Sequence, residues 1–236
     1  MEDQVARLVD KAWNRFLETP PESRLLIAIG GIPGSGKTTL SRIITAALNA
    51  RHAALHGTTN PITAFVPMDG YHLTRAQLSA MPDPITAHAR RGAEFTFDGE
   101  GFLRLVQALR QPLSNNKTTL APSFDHAVKD PKEDDIAVDP THRIVVFEGN
   151  YVLLNKHPWS EAASMMDEKW FVDVDFAVAR RRLAIRHVAA GIAADLEAAD
   201  RRALENDLPN GEEVVRFRLD IDELVTSRED GGWVHE

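Results

Sequence analysis

Eight residues, Gly31-Ile32-Pro33-Gly34-Ser35-Gly36-Lys37-Thr38, constrain this chain more than any others. They satisfy the spacing G-x-x-x-x-G-K-[ST] and lie between a short apolar run, Leu25 to Ile29, and a helical pattern through Leu40, Ile43, Ile44, Ala47 and Leu48. A strand that turns into a helix through such glycines aims backbone N–H groups inward around phosphate oxygens, and the helix N-terminus adds its dipole. The spacing predicts Gly31, Pro33, Gly34, Ser35, Gly36, Lys37, Thr38 and Thr39 as the phosphate-binding residues, with Lys37 on the outer phosphates and the Thr38 hydroxyl as a ligand of Mg²⁺. At ordinary residue frequencies a chain this long matches the pattern by accident roughly once in a hundred.

The rest of the chain alternates strands with helices. Ala64-Phe65-Val66-Pro67-Met68 reads as a strand ending at Asp69-Gly70, Arg143 to Phe147 as a buried strand ending at Glu148-Gly149, and Trp170 to Val174 as a third. Asp98 to Leu109 reads as a helix, and an arginine-rich helix is expected from about Phe176 to Ala190. Before them, Val5, Leu8, Val9, Ala12, Trp13, Phe16 and Leu17 recur at helical spacing until Thr19-Pro20-Pro21 stops the pattern. This leading amphipathic helix, within residues 1–22, either packs on the domain edge or forms a homodimer contact. The pattern implies an α/β fold with a mostly parallel sheet covered on both faces, whose ligands sit beyond the carboxyl ends of the strands. Asp69 and Glu148 fall at such ends. Gln111 to Pro140, rich in Pro, Asp, Asn and Lys, is expected to be irregular and to include substrate-side loops.

Composition sets limits. At 236 residues with 43% hydrophobic content, one sizeable core and a single domain over residues 1–236 are expected. The balance of 27 Lys+Arg against 35 Asp+Glu, net charge -8, argues against bulk binding to nucleic acid or an anionic membrane. No cysteine is present, which excludes disulfides, thiol nucleophiles and cysteine-ligated zinc. With no signal-like start and no run of membrane-spanning length, a cytoplasmic location is the expectation.

Asp69 is placed to accept a proton from a substrate hydroxyl during phosphoryl transfer, unless it is merely a turn aspartate before Gly70. Glu148 can hold Mg²⁺ directly or through water, or serve as a structural carboxylate. Arg180, Arg181, Arg182 and Arg186 open one helix, and the step from Arg182 to Arg186 sets two guanidinium groups on one face. That face either closes on ATP as a lid or is solvated and paired with Glu197 and Asp200. A guanine-reading N-K-x-D segment is missing: Asn116-Lys117 continues Thr118-Thr119, and Asn155-Lys156 continues His157-Pro158. His72, His88, His126 and His187 lack metal-ligand spacing and are assigned to structure or solvent.

From about Leu25 to Asp207 the chain resembles the P-loop kinases that include uridine kinase, phosphoribulokinase and the bacterial type of pantothenate kinase, and most of all uridine-kinase-like proteins of fungi and bacteria, among them those described as fructose-transport-associated kinases. The resemblance rests on the loop, Met68-Asp69-Gly70-Tyr71-His72, Arg90-Arg91-Gly92-Ala93 to Thr96-Phe97-Asp98, Pro122-Ser123-Phe124-Asp125 and Phe147-Glu148-Gly149-Asn150-Tyr151, in that order. It implies a three-layer P-loop NTPase fold with a helical lid at about residues 176–195, and transfer of the γ-phosphoryl group of Mg-ATP to a hydroxyl of a small metabolite. The alternative is an ATPase-type switch with a vestigial acceptor pocket. It also implies catalytic roles for Asp69, Lys37, Arg182 and Arg186, and a metal role for Glu148 beside Thr38. Asp98 is either an acceptor contact or a helix cap. Uridine kinases carry tyrosine and histidine where this chain has Phe124 and Lys129, so both pyrimidine contacts are altered. Lys129 either meets an acceptor carboxylate or phosphate or is a solvated loop lysine. Asn206-Asp207-Leu208-Pro209-Asn210 resembles a segment of the same proteins and is expected to be a turn before the last strand.

Overall fold

A computed structural model describes residues 2–113 and 117–228; residues 1, 114–116 and 229–236 lie outside the described residues, among them Asn116 of the Asn116-Lys117 pair and part of the stretch from Gln111 to Pro140. In chain order the elements are α1 (Glu2–Glu18), β1 (Leu25–Gly31), α2 (Lys37–His56), β2 (Thr63–Pro67), α3 (Arg75–Ser79), α4 (Pro84–Ala89), α5 (Gly99–Leu109), β3 (Thr119–Asp125) and β4 (Asp130–Val138). They continue with β5 (Ile144–Gly149), α6 (Trp159–Ser164), β6 (Glu168–Asp173), α7 (Phe176–Ala189), α8 (Leu196–Arg202), α9 (Leu208–Phe217) and β7 (Glu223–Thr226). The main sheet is five-stranded in the order β2-β5-β1-β6-β7, and every pairing in it is parallel.

Strand periodicity explains the three layers. Leu25, Ile27 and Ile29 of β1, with Ile144 and Val146 of β5, pack against Leu8, Ala12 and Trp13 of α1 and Leu40, Ile44 and Leu48 of α2. Leu26 and Ala28, with Val145 and Phe147, face Phe102 and Val106 of α5 and Trp159 of α6. Successive side chains point to opposite faces, so a strand buried on both must read as an unbroken apolar run, as β1 and β5 do. The leading helix therefore packs on its own domain, although Leu17, part of its apolar pattern, is exposed.

Two expectations are corrected. Most of the stretch from Gln111 to Pro140 is an antiparallel hairpin of β3 and β4, irregular only near Ala121 and Ser123. Its strands were disguised because one face meets solvent and because Pro122 and Pro131 interrupt them, leaving Ala121, Ile136 and Val138 as the inward set. The segment Asn206 to Asn210 is helical rather than a turn: a π-helical turn, Ala203–Asp207, joins α8 to α9. Pro209 falls at the start of α9, where a missing N–H costs little, so it does not end the helix. Among the described residues no helix is long and apolar enough to cross a membrane.

Candidate active site

Register brings the chemistry together. Glu148 at the end of β5 lies beside Ile29 of β1 and Pro67 of β2, so the phosphate loop after β1, Glu148 and Asp69 share one rim of the sheet. The loop itself depends on left-handed backbone at two glycines, Gly34 (φ 80°) and Gly36 (φ 87°). A Cβ on Gly34 would stand 2.8 Å from the Ala179 carbonyl oxygen of α7. Gly36 caps α2 without any side chain, leaving the first-turn N–H groups of that helix for a ligand's phosphates. The Ser35 hydroxyl is buried with no hydrogen-bond partner, again as expected of a loop shaped around oxygen acceptors.

Lys37 folds back across the loop, its Nζ 3.4 Å from the Ile32 carbonyl oxygen and 3.9 Å from Oε1 of Glu148. Burial lowers the Lys37 pKa, opposed by the charges of Glu148 and Asp69. Burial also pushes the Glu148 carboxyl up to about 7 despite the nearby Lys37 ammonium. The Thr38 hydroxyl donates to the same Oε1 at 3.1 Å. This half-buried hydroxyl and buried carboxylate, converging at the helix N-terminus, fit Mg²⁺, which takes few protein oxygens and completes its shell with phosphate oxygens and water. Among the described residues no group of three or more His, Asp or Glu is assembled for a metal.

Asp69 lies in a single 3₁₀ turn, Met68–Tyr71, with its carboxylate half exposed. The turn sets residues three apart on one face, and His72, just past it, brings Nε2 to 4.0 Å from Oδ1 of Asp69. The His72 ring stacks on Phe97 with centroids 4.0 Å apart and lies 5.0 Å from Phe124, which itself lies beneath the Arg91 guanidinium at 5.6 Å. Burial drives the His72 pKa down to about 4. His72, assigned above to structure or solvent, thus belongs to the wall nearest Asp69; its place three residues after that carboxylate was the available signal. Asp98 caps α5, taking the Gly101 N–H at 2.8 Å, and its other oxygen is 3.6 Å from Arg104. Asp98, Gly70, His72 and Arg104 line a cavity of about 220 Å³. Lys129 stands exposed in the hairpin turn with φ 60°, its carbonyl accepting from Arg91 at 2.6 Å.

The arginines divide. Arg180 is bound by both oxygens of Asp200 at 2.5 Å, as the solvated alternative expected. Arg182 turns onto the loop, donating to the Gly34 carbonyl at 3.3 Å and to the Ser227 hydroxyl at 2.9 Å. Arg186 is exposed, and its charge acts on Lys37 and Glu148. Sequence reasoning gave Asp207 no role, yet it lies 3.6 Å from Nε2 of buried His187, and its charge acts on Lys37. Burial raises its pKa and lowers that of His187. Neighbouring Asn206 and Asn210 hold Arg90, accepting from Nε at 2.9 Å and from a terminal nitrogen at 2.7 Å.

Comparison with known proteins points to a family of kinases with this fold. A family model described as the phosphoribulokinase / uridine kinase family matches residues 26–190. A protein of Aspergillus versicolor named an ATP-dependent kinase-like protein is 56% identical over 167 residues, covering 70% of this chain and 95% of that one. A crystal structure from Silicibacter, provisionally named a fructose transport system kinase, superposes with TM-score 0.79 at 33% identity over 93% of this chain and 98% of that one. The YFH7 structure from Saccharomyces cerevisiae shares the fold, with TM-score 0.83 at 22% identity over 96% and 99% of the two chains.

Proposed function

The chain belongs to the phosphoribulokinase / uridine kinase family, and we propose that it transfers the γ-phosphoryl group of Mg-ATP to a hydroxyl of a small metabolite, a nucleoside, sugar or pantothenate-like alcohol, with uridine itself disfavoured. The observation that carries this reading is the shared rim: Lys37, Thr38 and Glu148 on one side and a half-exposed carboxylate, Asp69, on the other, at the ends of neighbouring strands. A pure ATPase has no use for a half-exposed carboxylate next in the chain to a cavity lined by Gly70, His72 and Asp98. The recurrence of kinase names among its relatives supports the same class.

In this reading one domain holds both substrates. The acceptor oxygen forms a bond to the γ-phosphorus as the bond to the β–γ bridging oxygen breaks, and the acceptor's proton passes to Asp69. Lys37 and Arg186 neutralise the transferring group, and Arg182 holds the loop that cradles it. The nucleotide's phosphates supply the negative charge that offsets the desolvation of Lys37. Thr38 and Glu148 hold Mg²⁺, which when bound screens the phosphate charges. Asp98 and Phe124 face the acceptor, and Lys129 reaches its outer end only if the hairpin tip moves inward.

The test is mass-spectrometric detection of phosphorylated products from Mg-ATP and a panel of nucleosides, sugars and pantothenate-like alcohols. A product that Asp69→Asn lowers by about a thousandfold is expected, with ATP affinity retained. ADP formation without a phosphorylated acceptor would instead favour the ATPase-type switch.

A further inference from the structure

We propose that Arg90 is an anion receptor at the acceptor site, so that the acceptor carries a carboxylate or phosphate in addition to the hydroxyl that is phosphorylated. This rests on the kinase reading above and narrows it to a substrate class. The first argument is charge. Arg90 gives two of its N–H groups to neutral amide oxygens, those of Asn206 and Asn210. These asparagines are 4% and 2% exposed, one helical step apart. Among the described residues no carboxylate pairs with Arg90. Other arginines of the fold are treated differently: Arg91, next in the chain, meets Asp130 at 2.9 Å, and Arg110 meets Asp167 at 2.7 Å. Arg24 and Arg143 also lack carboxylates but spend their N–H groups on main-chain carbonyls. Two buried amides orient the Arg90 guanidinium and do nothing to neutralise it. That is how a cation is held ready for an incoming anion, with a forked face matched to a carboxylate or phosphate.

The second argument is position. Arg90 follows α4, and the next residue, Arg91, covers Phe124 and donates to the carbonyl of Leu73, beside His72. Gly92 accepts the Tyr151 hydroxyl at 2.8 Å, three residues beyond Glu148. Asn206 also donates to the Arg91 carbonyl at 3.1 Å, and its chain neighbour is Asp207. Arg90 is therefore tied on one side to the aromatic acceptor wall and on the other to the phosphate end of the site. The nucleotide already has Lys37, the α2 N-terminus and Arg186 for its charge. The acceptor side has Arg90.

The experiment uses pairs of acceptors in which the neutral member carries one further hydroxyl in place of the anionic group: D-glycerate against glycerol, ribose 5-phosphate against ribose, and pantothenate against pantothenol, with Mg-ATP and the full chain. Turnover is expected only from an anionic member of a pair. Arg90→Gln should raise KM for that acceptor by about 30-fold or more, with KM for ATP within about twofold, and Arg90→Lys should recover part of the loss. Because removing Arg90 also strands two buried amides, Asn210→Asp provides a second route. It keeps the guanidinium, supplies the missing carboxylate internally, and should raise the same KM. Melting shifts produced by the same compounds beside a non-hydrolysable Mg-ATP analogue report binding without turnover. Efficient use of the neutral members, or a KM change confined to ATP, overturns the proposal while leaving the kinase reading intact. Anion binding lost in Arg90→Gln but no product from wild type upholds the receptor and overturns the kinase reading. Neither binding nor product from any pair overturns the proposal.

Discussion

Replacing His72 with phenylalanine should make the protein more resistant to mild acid. The ring is 14% exposed, stacked on Phe97, and its Nδ1 is buried without a hydrogen-bond partner. Burial is the main reason its pKa falls from 6.5 to about 4; Arg91 and His126 push the same way, and Asp69 and Asp130 oppose them. In the unfolded chain the imidazole protonates near 6.5, whereas in the fold it resists until about 4, so between those values the unfolded state binds more protons and stability falls as pH falls. From about pH 7.5 to about pH 5 that difference costs the native state about 2 kcal/mol at this residue alone. Phenylalanine keeps the aromatic stack and removes the titration. Urea unfolding of both proteins at the two pH values isolates the contribution, because every other titrating group is shared. The wild type should lose about 2 kcal/mol more than the variant. Parallel losses, or a larger loss in the variant, would refute the assignment of His72 as a buried neutral ring.

Two further substitutions test the loop. Gly34→Ala should cost about 1–3 kcal/mol in urea unfolding and weaken ATP binding, since the new Cβ meets the Ala179 carbonyl oxygen at 2.8 Å on a backbone with φ 80°; unchanged stability and ATP affinity would contradict the described loop. Arg182→Ala should raise KM for ATP by about tenfold, the worth of one or two charge-assisted hydrogen bonds, because the guanidinium anchors the Gly34 carbonyl and Ser227. A fall in kcat with KM for ATP unaltered would return Arg182 to the transition-state role expected from sequence.

What could be read without coordinates was whatever a local signal wrote into neighbouring residues. The phosphate loop declares itself because eight consecutive residues do one job. The paired faces of β1 and β5 show as apolar runs because both faces are buried, and α1 shows as a 3.6-residue period because one is. The β3–β4 hairpin escaped because neither signal applies to strands half exposed and interrupted by proline. Asp98 shows the limit of a motif. One of its oxygens caps α5, so a helix start and an acceptor contact write the same letter at the same place.

The Arg90 clamp marks a harder boundary. Residues 90 and 206 are 116 positions apart, and neither hydrophobic periodicity nor charge complementarity connects an arginine to two asparagines. What joins them is the π-helical turn at Ala203–Asp207, whose wider winding changes the direction of the residues that follow it. Asn206 then meets Arg90 and Arg91, while the adjacent Asp207 meets His187 of α7. A continuous α-helix would rotate everything beyond the insertion by about a third of a turn and could not keep both sets of contacts. The single extra residue thus ties the arginine-rich helix to the loop that bears Arg90, and it does so through polar groups that are legible only when both ends are in view. A helix deviation at this point, tying α7 and the loop that bears Arg90 to the same turn, is the reason to look for chemistry at Asn206 and Asp207 and not to treat them as the end of a fold already complete.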